Sequence, residues 1–268
     1  MADLLNHFAF QTIPFTCEID TSKRCSFDFC DEVLAELITT VERRMSAALI
    51  GPAGTGKTFL IRQLYSHLPE ARYRVRYMKV TDLSKRDMCR EIATVVGAPP
   101  VGTYPALVRT LQETFVSSMT NDGLRPVLLI DEGHDMRPSV LGVLRLLTNF
   151  EMDSRLVVSI ILSGQPPLLK LLKRNTLTDV AQRLAYCGTL RLLTREEVTT
   201  YVNHRLVIAG GQAEWFARDA VEAIHEISRG NLRAIDFLAL RSLQRAADND
   251  KDVVDANQVM DARSKMAL

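Results

Sequence analysis

The sequence predicts an α/β protein with a parallel sheet between two layers of helices, followed by a small all-helical domain. Three apolar runs have the length and composition of buried strands, at residues 47–50, 127–130 and 156–162. A glycine-rich turn follows the first run, and an acidic pair follows the second. After Leu193 every segment has the helical period. We therefore expect an α/β domain over residues 1–193, with an N-terminal arm at 1–26, and a helical lid domain over 194–268.

The other elements follow from hydrophobic period and from stop signals at proline and glycine. In the α/β domain we expect helices at 27–41, 58–68, 84–96, 105–119 and 139–150, short helical segments at 168–172 and 178–184, and further strands at 73–80 and 187–193. Residues 1–20 show no clear period, which predicts an irregular arm laid across the core. In the lid, Thr194 and Glu197 have capping-box spacing, and helices are expected at 194–207, 213–228, 232–247 and from about 255.

Composition excludes several classes of protein. Of the 268 residues, 47% are hydrophobic, and the net charge of +1 gives no overall signature of nucleic-acid binding. No stretch approaches the roughly 18 uninterrupted apolar residues of a membrane span, and no secretory leader is recognisable. We therefore expect a cytoplasmic protein without a membrane partner. Five cysteines without a C-x-x-C pair disfavour a disulfide scaffold and a zinc site.

Residues 51–58 read GPAGTGKT, a complete G-x-x-x-x-G-K-T phosphate loop between a predicted strand and a predicted helix. The glycines let successive backbone N–H groups point at phosphate oxygens, and the helix start adds its dipole. Lys57 is expected to reach the β and γ phosphates, and Thr58 to hold a magnesium ion. The predicted nucleotide contacts are Gly51, Pro52, Ala53, Gly54, Thr55, Gly56, Lys57, Thr58 and Phe59. An accidental glycine turn is the alternative, against which the flanking strand and helix argue.

The buried run 127–130 ends in the acidic pair Asp131 and Glu132. We expect this strand to neighbour the phosphate-loop strand, which would bring both carboxylates to the triphosphate. Asp131 is then a further magnesium ligand, and Glu132 is the catalytic base that polarises the attacking water. A hydrophobic strand ending in two acids is common by itself, and the preceding phosphate loop makes this one diagnostic.

A third strand end is also polar, because the run 156–162 leads into Ser163, Gly164 and Gln165. A polar group at this position would lie beside the γ-phosphate. We therefore predict that Ser163 and Gln165 sense the γ-phosphate during hydrolysis. A plain strand-to-loop turn is the alternative interpretation of the same residues.

Further motifs recur in an order that resembles a known family. They are PF at 14–15, DEGH at 131–134, LRLLTNFE at 144–151, IILSGQPPL at 160–168, AQRL at 181–184, HRLVIAG at 204–210 and GNLR at 230–233. Together with the phosphate loop they resemble the AAA+ ATPases. Within that family they are similar to the ExeA-like branch, which contains secretion-pathway ATPases and transposon ATPases of the TnsC, TniB and MuB type. The resemblance covers nearly the whole chain and implies ATP and Mg²⁺ as cofactors.

The resemblance implies roles for two arginines. Arg183, in AQRL, matches an arginine that in the family often reaches the γ-phosphate of the neighbouring subunit, which implies a homo-oligomer, as a ring or a helical filament. Arg233, in GNLR, matches the lid arginine that contacts the same nucleotide in cis. A planar guanidinium suits the charge on a transferring phosphoryl group. For both, the alternative is an ordinary surface arginine. His134 departs from the Gln or Ala often found in this motif, and the resemblance assigns it no role.

The leading function hypothesis is an ATP-dependent regulator of DNA transposition that oligomerises on double-stranded target DNA and recruits or activates a transposase. The full-length secretion ATPase has a membrane span and a periplasmic region that this chain lacks, so we expect no membrane-tethered function. A basic cluster over residues 70–90 favours DNA binding, and the predicted contacts are Lys79, Lys85, Arg86 and Arg90. A solvated helix face is the alternative for that cluster.

Two other functions stay open at this point. One is a cytosolic ExeA-like secretion or assembly ATPase that acts on a protein partner and binds no DNA. The other is a nucleotide-dependent scaffold without hydrolysis, against which the intact Lys57, Asp131 and Glu132 argue. Phe15 and the arm around it are predicted neighbours of the adenine base.

Overall fold

The computed structural model describes residues 2–16, 18–148 and 156–264, with the backbone alone at residues 2 and 3. Its strands are β1 Ser46–Ile50, β2 Tyr73–Lys79, β3 Arg125–Asp131, β4 Ser159–Gly164 and β5 Leu184–Thr189. Its helices are α1 Ala2–His7, α2 Asp28–Glu42, α3 Lys57–His67, α4 Lys85–Val96, α5 Tyr104–Thr120, α6 Pro138–Thr148, α7 Pro166–Leu172, α8 Thr178–Ala181, α9 Arg195–Ile208, α10 Arg218–Ser228, α11 Leu232–Asp248 and α12 Ala256–Arg263. Single turns of 3₁₀ helix lie at Thr21–Lys23, Gly133–Asp135, Asn175–Leu177 and Ala213–Trp215.

The five strands form one parallel sheet in the order β2-β3-β4-β1-β5. The expectation that the acidic strand neighbours the phosphate-loop strand is therefore wrong, because β4 lies between β3 and β1. The reason is physical: hydrophobic period shows that a strand is buried on both faces, but it carries no information about which strand lies beside it. A serine helps to fix β4 against β1, since the Ser46 hydroxyl accepts a hydrogen bond from the Ile160 N–H at 3.0 Å.

Successive residues of the central strands point into two different cores. Ala48, Ile50, Leu128, Ile130, Ile160 and Leu162 belong to one core, together with residues of α4 to α8. Ala47, Leu49, Val127, Leu129 and Ile161 belong to the other, together with residues of α2 and α3. Helices thus cover both faces of the sheet, which is why these strands are continuous apolar runs. The predicted three-layer α/β/α architecture is confirmed.

Several predicted elements differ from the structure. Helix α10 begins at Arg218 rather than at residue 213, and α8 ends at Ala181 rather than at residue 184. The last strand, β5, begins at Leu184 rather than at Cys187, because it is an edge strand whose side chains alternate between more and less exposed positions. Strand β4 begins at Ser159, while Leu156 is exposed. The arm contains the short helix α1, where no regular structure was expected. The predicted end of α6 at residue 150 lies outside the described residues.

The chain divides into two compact units, and the first of them is the α/β unit, Asp28–Pro52 and Lys57–Leu190. The helical unit comprises Met1–Phe27, Ala53–Gly56 and Arg191–Leu268. The last segment of the helical unit starts at Arg191, close to the expected boundary after Leu193. This unit also contains the N-terminal arm, which sequence analysis assigned to the α/β domain. No helix in the described ranges is both long and apolar enough to cross a membrane.

Aromatic and ionic contacts hold the arm inside the helical unit. The rings of Phe8 and Phe10 pack against Trp215, with centroids 5.2 and 4.8 Å away. Arg205 is buried, forms an ion pair with Asp236 at 3.2 Å, and donates a hydrogen bond to the Thr16 carbonyl at 2.7 Å. Helix α9 begins as the sequence predicts, since Thr194 and Glu197 form a reciprocal capping box at its start.

Candidate functional site

The candidate active site of the α/β unit lies at the carboxyl edge of the parallel sheet. Pairing places Lys79 beside Asp131, Leu49 beside Ser163, and Ile50 beside Gly164. The ends of β2, β3, β4 and β1 therefore come level with one another along that edge. Parallel strands bring their carboxyl ends together, and this is the edge where ligands bind in open α/β sheets.

Asp131 is the centre of the hydrogen-bond network at this edge. Its carboxylate is 2% exposed and accepts a hydrogen bond at each oxygen, from the Thr58 hydroxyl at 2.7 Å and from the Ser163 hydroxyl at 2.8 Å. The Glu132 N–H adds a third donor at 2.9 Å. The predicted metal ligands Thr58 and Asp131 are thus in direct contact. Hydroxyl and carboxylate oxygens are hard donors of the kind that Mg²⁺ prefers, so the residues fit that ion.

Ser163 and Gln165 lie in different environments, although both are at the carboxyl end of β4. Ser163 is fully buried, and its hydroxyl points at Asp131. Gln165 is half-buried at the first position before α7. We therefore assign Ser163 to holding the Asp131 carboxylate in place, and leave the proposed sensing of the γ-phosphate to Gln165.

The phosphate loop has the conformation that its glycines predict at two positions. Gly54 and Gly56 have φ values of 74° and 86°, in the left-handed region that favours glycine. Gly51 instead ties the loop to the sheet, because its N–H donates to the Gly164 carbonyl at 3.1 Å. The ammonium of Lys57, 7% exposed, donates to the carbonyls of Gly51 and Pro52, each at 2.8 Å. The lysine charge is therefore held at the base of the loop.

Glu132, the predicted base, has an unusual backbone and two charged neighbours. Its φ of 58° is left-handed, which is uncommon for a residue other than glycine. Its carboxylate lies 4.0 Å from the Lys79 ammonium and 3.4 Å from Nδ1 of His134. Sequence reasoning assigned Lys79 to DNA and gave His134 no role, because residues on separate turns and strands show no spacing signal.

The hydroxyl of Tyr77 is a further group near this carboxylate network. Burial is the main cause that raises the pKa of Tyr77, and the negative charge of Asp131 acts in the same direction. A tyrosine is neutral at pH 7 even at its ordinary pKa of about 10, so the raised pKa leaves the charge of Tyr77 at neutral pH unchanged. Sequence analysis did not single out Tyr77, because the pairing of β2 with β3 that brings it to this network leaves no signal in the sequence.

The helical unit includes the tip of the phosphate loop, residues Ala53–Gly56, and this tip contacts the GNLR motif. The Asn231 side-chain amide donates to the Ala53 carbonyl at 2.7 Å, and the Leu232 N–H donates to the Gly54 carbonyl at 3.0 Å. Asn231 also caps α11 by accepting a hydrogen bond from the Ala234 N–H. Arg233 is exposed in the first turn of that helix. Sequence analysis singled out Arg233 but missed the contact of Asn231.

Arg183 lies just before the amino-terminal end of β5, whereas the phosphate loop follows the carboxyl end of β1. It precedes Leu184, which pairs with Ser46 at the start of β1, while the loop follows Ile50 at the end of β1. Five residues of extended strand span about 15 Å at ~3.3 Å per residue. This distance argues against a contact between Arg183 and the phosphate loop of its own chain. It agrees with the predicted contact with the γ-phosphate of a neighbouring subunit, which stays a prediction.

The predicted DNA contacts fall into two sets. Lys79 ends β2 beside Glu132, at the nucleotide edge of the sheet. Lys85 and Arg86 are exposed in the first turn of α4, where Arg86 donates to the Gly102 carbonyl. Arg90 lies on the same helix, 3.8 Å from Asp87. Lys85, Arg86 and Arg90 therefore lie on one helix, and Lys79 lies at the end of β2 beside Glu132.

Comparisons with known proteins place this geometry among nucleotide-binding folds. A family model described as an AAA domain matches residues 40–172. General secretion pathway protein A of Aeromonas hydrophila is 32% identical over 197 residues, which cover 73% of this chain and 36% of that protein. The chain thus spans little more than a third of the length of this relative.

Solved structures with a similar fold come from several organisms. Cdc6p of Pyrobaculum aerophilum has a TM-score of 0.75 at 18% identity, covering 94% of this chain and 70% of that chain. ORC1 of Aeropyrum pernix, solved in complex with DNA, has a TM-score of 0.67 at 17% identity, covering 91% and 66%. The Holliday junction branch migration motor RuvB of Thermotoga maritima has a TM-score of 0.60 at 18% identity, covering 89% and 69%. At these identities the structures show the fold, and they confirm the predicted fold class.

Proposed function

We propose that the chain couples ATP hydrolysis to assembly on double-stranded DNA during transposition. The AAA domain over residues 40–172 and the shared fold of the P-loop ATPases support the ATPase activity. The observation that carries the hydrolysis step is the Asp131 network, with Thr58 on one carboxylate oxygen and Glu132 next in the chain. This network places the proposed metal ligands and the proposed base at one edge of the sheet.

Each residue at that edge has a distinct part in the proposed reaction. The loop N–H groups and Lys57 bind the β and γ phosphates, and Thr58 and Asp131 hold the metal. Mg²⁺, when bound there, supplies positive charge that offsets the charge on the phosphate oxygens. Glu132 accepts a hydrogen bond from the attacking water and orients it in line with the γ-phosphate. Gln165 in cis, Arg233 in cis and Arg183 of a neighbouring subunit donate hydrogen bonds to the γ-phosphate.

Hydrolysis is tested by Glu132→Gln, which removes the base but keeps the size of the side chain. We expect ATP to bind with an affinity within about threefold of the wild type, while kcat falls at least about a hundredfold. The measurements are steady-state phosphate release and equilibrium binding of a fluorescent ATP analogue. A variant that hydrolyses ATP at the wild-type rate would show that Glu132 is not the base.

The DNA-binding part of the proposal is supported by charge at the start of α4. Lys85 and Arg86 are exposed cations in the first turn of a helix, where the helix dipole disfavours positive charge. A DNA phosphate at this position would pair with both side chains and offset that repulsion. The fold is also shared with ORC1 of Aeropyrum pernix, whose structure was solved in complex with DNA.

A second candidate function is favoured by one specific observation, the 32% identity with general secretion pathway protein A. On this alternative the same ATPase cycle acts on a protein partner, and no DNA is bound. A transposase is the partner under the first proposal, and a component of a secretion or assembly machine under the second. ATP, Mg²⁺ and a homo-oligomer completed by Arg183 belong to both.

One assay separates the two functions. Binding to duplex DNA is measured with ATP, with ADP and without nucleotide over a series of salt concentrations. Under the first proposal binding requires ATP and weakens with salt, and replacing both Lys85 and Arg86 by Ala lowers the slope of log affinity against log salt by about two. Arg263→Ala, an exposed cation on α12, is the matched control. The lack of any ATP-dependent, salt-sensitive binding would reject the DNA function and leave the protein partner.

A further inference from the structure

We propose that His134 is a positioning residue for hydrolysis, which links the proposed base Glu132 to the proposed sensor at the end of β4. This inference rests on the proposed ATP hydrolysis and adds a residue to it. The motif DEGH places His134 two positions after Glu132, on the 3₁₀ turn Gly133–Asp135. The contacts of that turn, and not its sequence, indicate what the imidazole does.

The turn is packed against the end of β4 at backbone distance. A Cβ atom added to Gly133 would lie 2.5 Å from Cδ1 of Leu162 and 3.2 Å from the Ser163 carbonyl oxygen. A Cβ atom added to Gly164 would lie 3.1 Å from the His134 backbone nitrogen. Two glycines, one in each motif, therefore permit an approach that larger residues would prevent. Any shift at the end of β4 is transmitted directly to the turn.

The imidazole of His134 lies between the base and the sensor. The side chain is 13% exposed, and its Nδ1 is 3.4 Å from the Glu132 carboxylate and 3.4 Å from the Gln165 backbone nitrogen. Its other nitrogen, Nε2, is 3.8 Å from the Asp135 carboxylate. One nitrogen atom of this ring thus faces both an acceptor and a donor.

Nδ1 can serve only one of these two partners at a time. When Nδ1 carries a hydrogen, it donates to Glu132, and the Gln165 N–H loses its acceptor. When Nδ1 carries a lone pair, it accepts from Gln165, and Glu132 loses a donor. The two arrangements differ by the tautomer of a neutral ring, so no change in net charge is required. A movement of the Gln165 backbone N–H therefore decides whether Nδ1 of His134 donates to the Glu132 carboxylate.

Through this exchange, a movement of the proposed sensor Gln165 changes the hydrogen bonding of the proposed base Glu132. If the Gln165 backbone shifts as its side chain reaches the γ-phosphate, its N–H leaves Nδ1. The ring then releases the proton on Nε2 to water and takes one from water at Nδ1, and this new Nδ1–H donates to Glu132. A carboxylate held at one oxygen presents its other oxygen to the attacking water in a fixed direction. His134 acts through Glu132 and does not touch the substrate.

The test uses the shape of the imidazole. In asparagine the amide group branches at the carbon that carries Nδ1 in histidine, so His134→Asn keeps a polar atom close to that position. His134→Gln places its amide near Nε2 instead, towards Asp135. Full-length His134→Ala, His134→Asn and His134→Gln are compared with wild type by kcat, by KM, and by Kd for a fluorescent ATP analogue. Asp135→Asn, which alters only the Nε2 side, is the matched control.

We expect His134→Ala to lower kcat about tenfold or more while Kd for the analogue stays within about twofold. His134→Asn should recover kcat to within about threefold of wild type, and His134→Gln should not. Asp135→Asn should hydrolyse ATP at the wild-type rate. Thermal unfolding is measured for each protein, and if His134→Ala fails to fold, the comparison of the Asn and Gln variants decides.

Three results would overturn the inference. They are an unchanged kcat in His134→Ala, equal rates in the Asn and Gln variants, or a loss that lies in Kd and not in kcat. If the wild type hydrolyses ATP in a way that depends on Glu132, these results reject the role of His134 alone. If the wild type shows no hydrolysis that depends on Glu132, the proposed reaction fails, and the role of His134 fails with it.

Discussion

At the scale of single residues, the carboxylate of Asp131 accepts hydrogen bonds from two hydroxyl groups on different elements. Thr58 comes from the start of α3 and Ser163 from the end of β4. Because the carboxylate is buried, each donor offsets part of the cost of removing a charge from water. Ser163 thus supports the proposed metal site through its hydrogen bond to Asp131.

Ser163→Ala removes one of these donors and leaves that buried carboxylate oxygen with the Glu132 N–H as its remaining donor. We expect the free energy of unfolding to fall by about 2 kcal/mol, and the Mg²⁺ concentration for half-maximal ATP hydrolysis to rise. Urea unfolding and a magnesium titration of the rate measure the two effects. Ser159→Ala, at another buried serine of β4, is the control; equal effects of both variants would contradict the role given to Ser163.

A second residue-scale prediction concerns Asp236 in the helical unit. Burial raises the pKa of Asp236 to about 6, although the Arg205 guanidinium and the Tyr201 hydroxyl act in the opposite direction. A folded pKa above the ordinary value means that the folded state binds the proton more tightly than the unfolded state. The stability from this group is present at low pH and is lost as pH rises through about 6.

Asp236→Asn removes the titration. We expect the difference in free energy of unfolding, wild type minus variant, to fall by about 1 kcal/mol between pH 5 and pH 7. The variant should also be less stable at every pH, because it leaves the buried Arg205 without its carboxylate. Urea unfolding at several pH values measures both, and parallel pH profiles for the two proteins would contradict the raised pKa.

At the scale of elements, the start of α11 and the tip of the phosphate loop are built to fit each other within the helical unit. A Cβ atom added to Gly54 would lie 2.2 Å from the Asn231 side-chain oxygen. The loop therefore needs glycine at this position for two reasons, a left-handed φ and a close side chain. Only the first of these reasons could be anticipated from the G-x-x-x-x-G-K-T spacing.

Gly54→Ala separates the two reasons when it is compared with Gly97→Ala. Gly97 has a similar φ of 80°, but an added Cβ there meets no atom within 4 Å. We expect Gly97→Ala to cost about 1 kcal/mol of unfolding free energy from backbone strain alone, and Gly54→Ala to cost more. Adding Asn231→Ala to Gly54→Ala should recover part of the excess, as measured by denaturant unfolding. Additive effects of the two changes would contradict the contact.

At the scale of the whole molecule, the position of Arg183 bears on how subunits complete the active site. The register of β5 against β1 places Arg183 at the edge of the sheet away from the phosphate loop. Under the proposed function this arginine therefore serves the nucleotide of a neighbouring copy. A head-to-tail contact of this kind generates a ring or a filament.

Arg183→Ala is expected to lower hydrolysis at least about a hundredfold while affinity for the nucleotide in the monomer stays near the wild-type value. A mixing experiment sharpens the test. Arg183→Ala subunits keep an intact phosphate loop, and Lys57→Ala subunits keep Arg183, so the mixture should regain activity that neither protein has alone. Phosphate release from the two proteins and from their mixture measures this effect. A monomer that loses nucleotide affinity, or a mixture that stays inactive, would contradict the role in trans.

The sequence by itself determined the fold class, nearly all elements, and the identity of the polar strand ends. These features depend on local properties: hydrophobic period, glycine and proline signals, and the fixed spacing of the phosphate loop. The relation of strand ends to one another is not local. The sequence therefore predicted that Asp131 and Ser163 belong to the candidate site. It could not show that the Ser163 hydroxyl donates a hydrogen bond to the Asp131 carboxylate.

Tertiary structure alone decided the strand order, the burial of Ser163, and the neighbours of Glu132. It placed β4 between β3 and β1, against the expectation of adjacent strands. It also placed Lys79 beside the proposed base Glu132, and it gave His134 a partner at the end of β4 in addition to Glu132. The physical reason is the same in each case: lateral pairing of strands and close approach of loops are set by packing of the whole domain, and residues far apart in the chain leave no spacing by which their contact can be read.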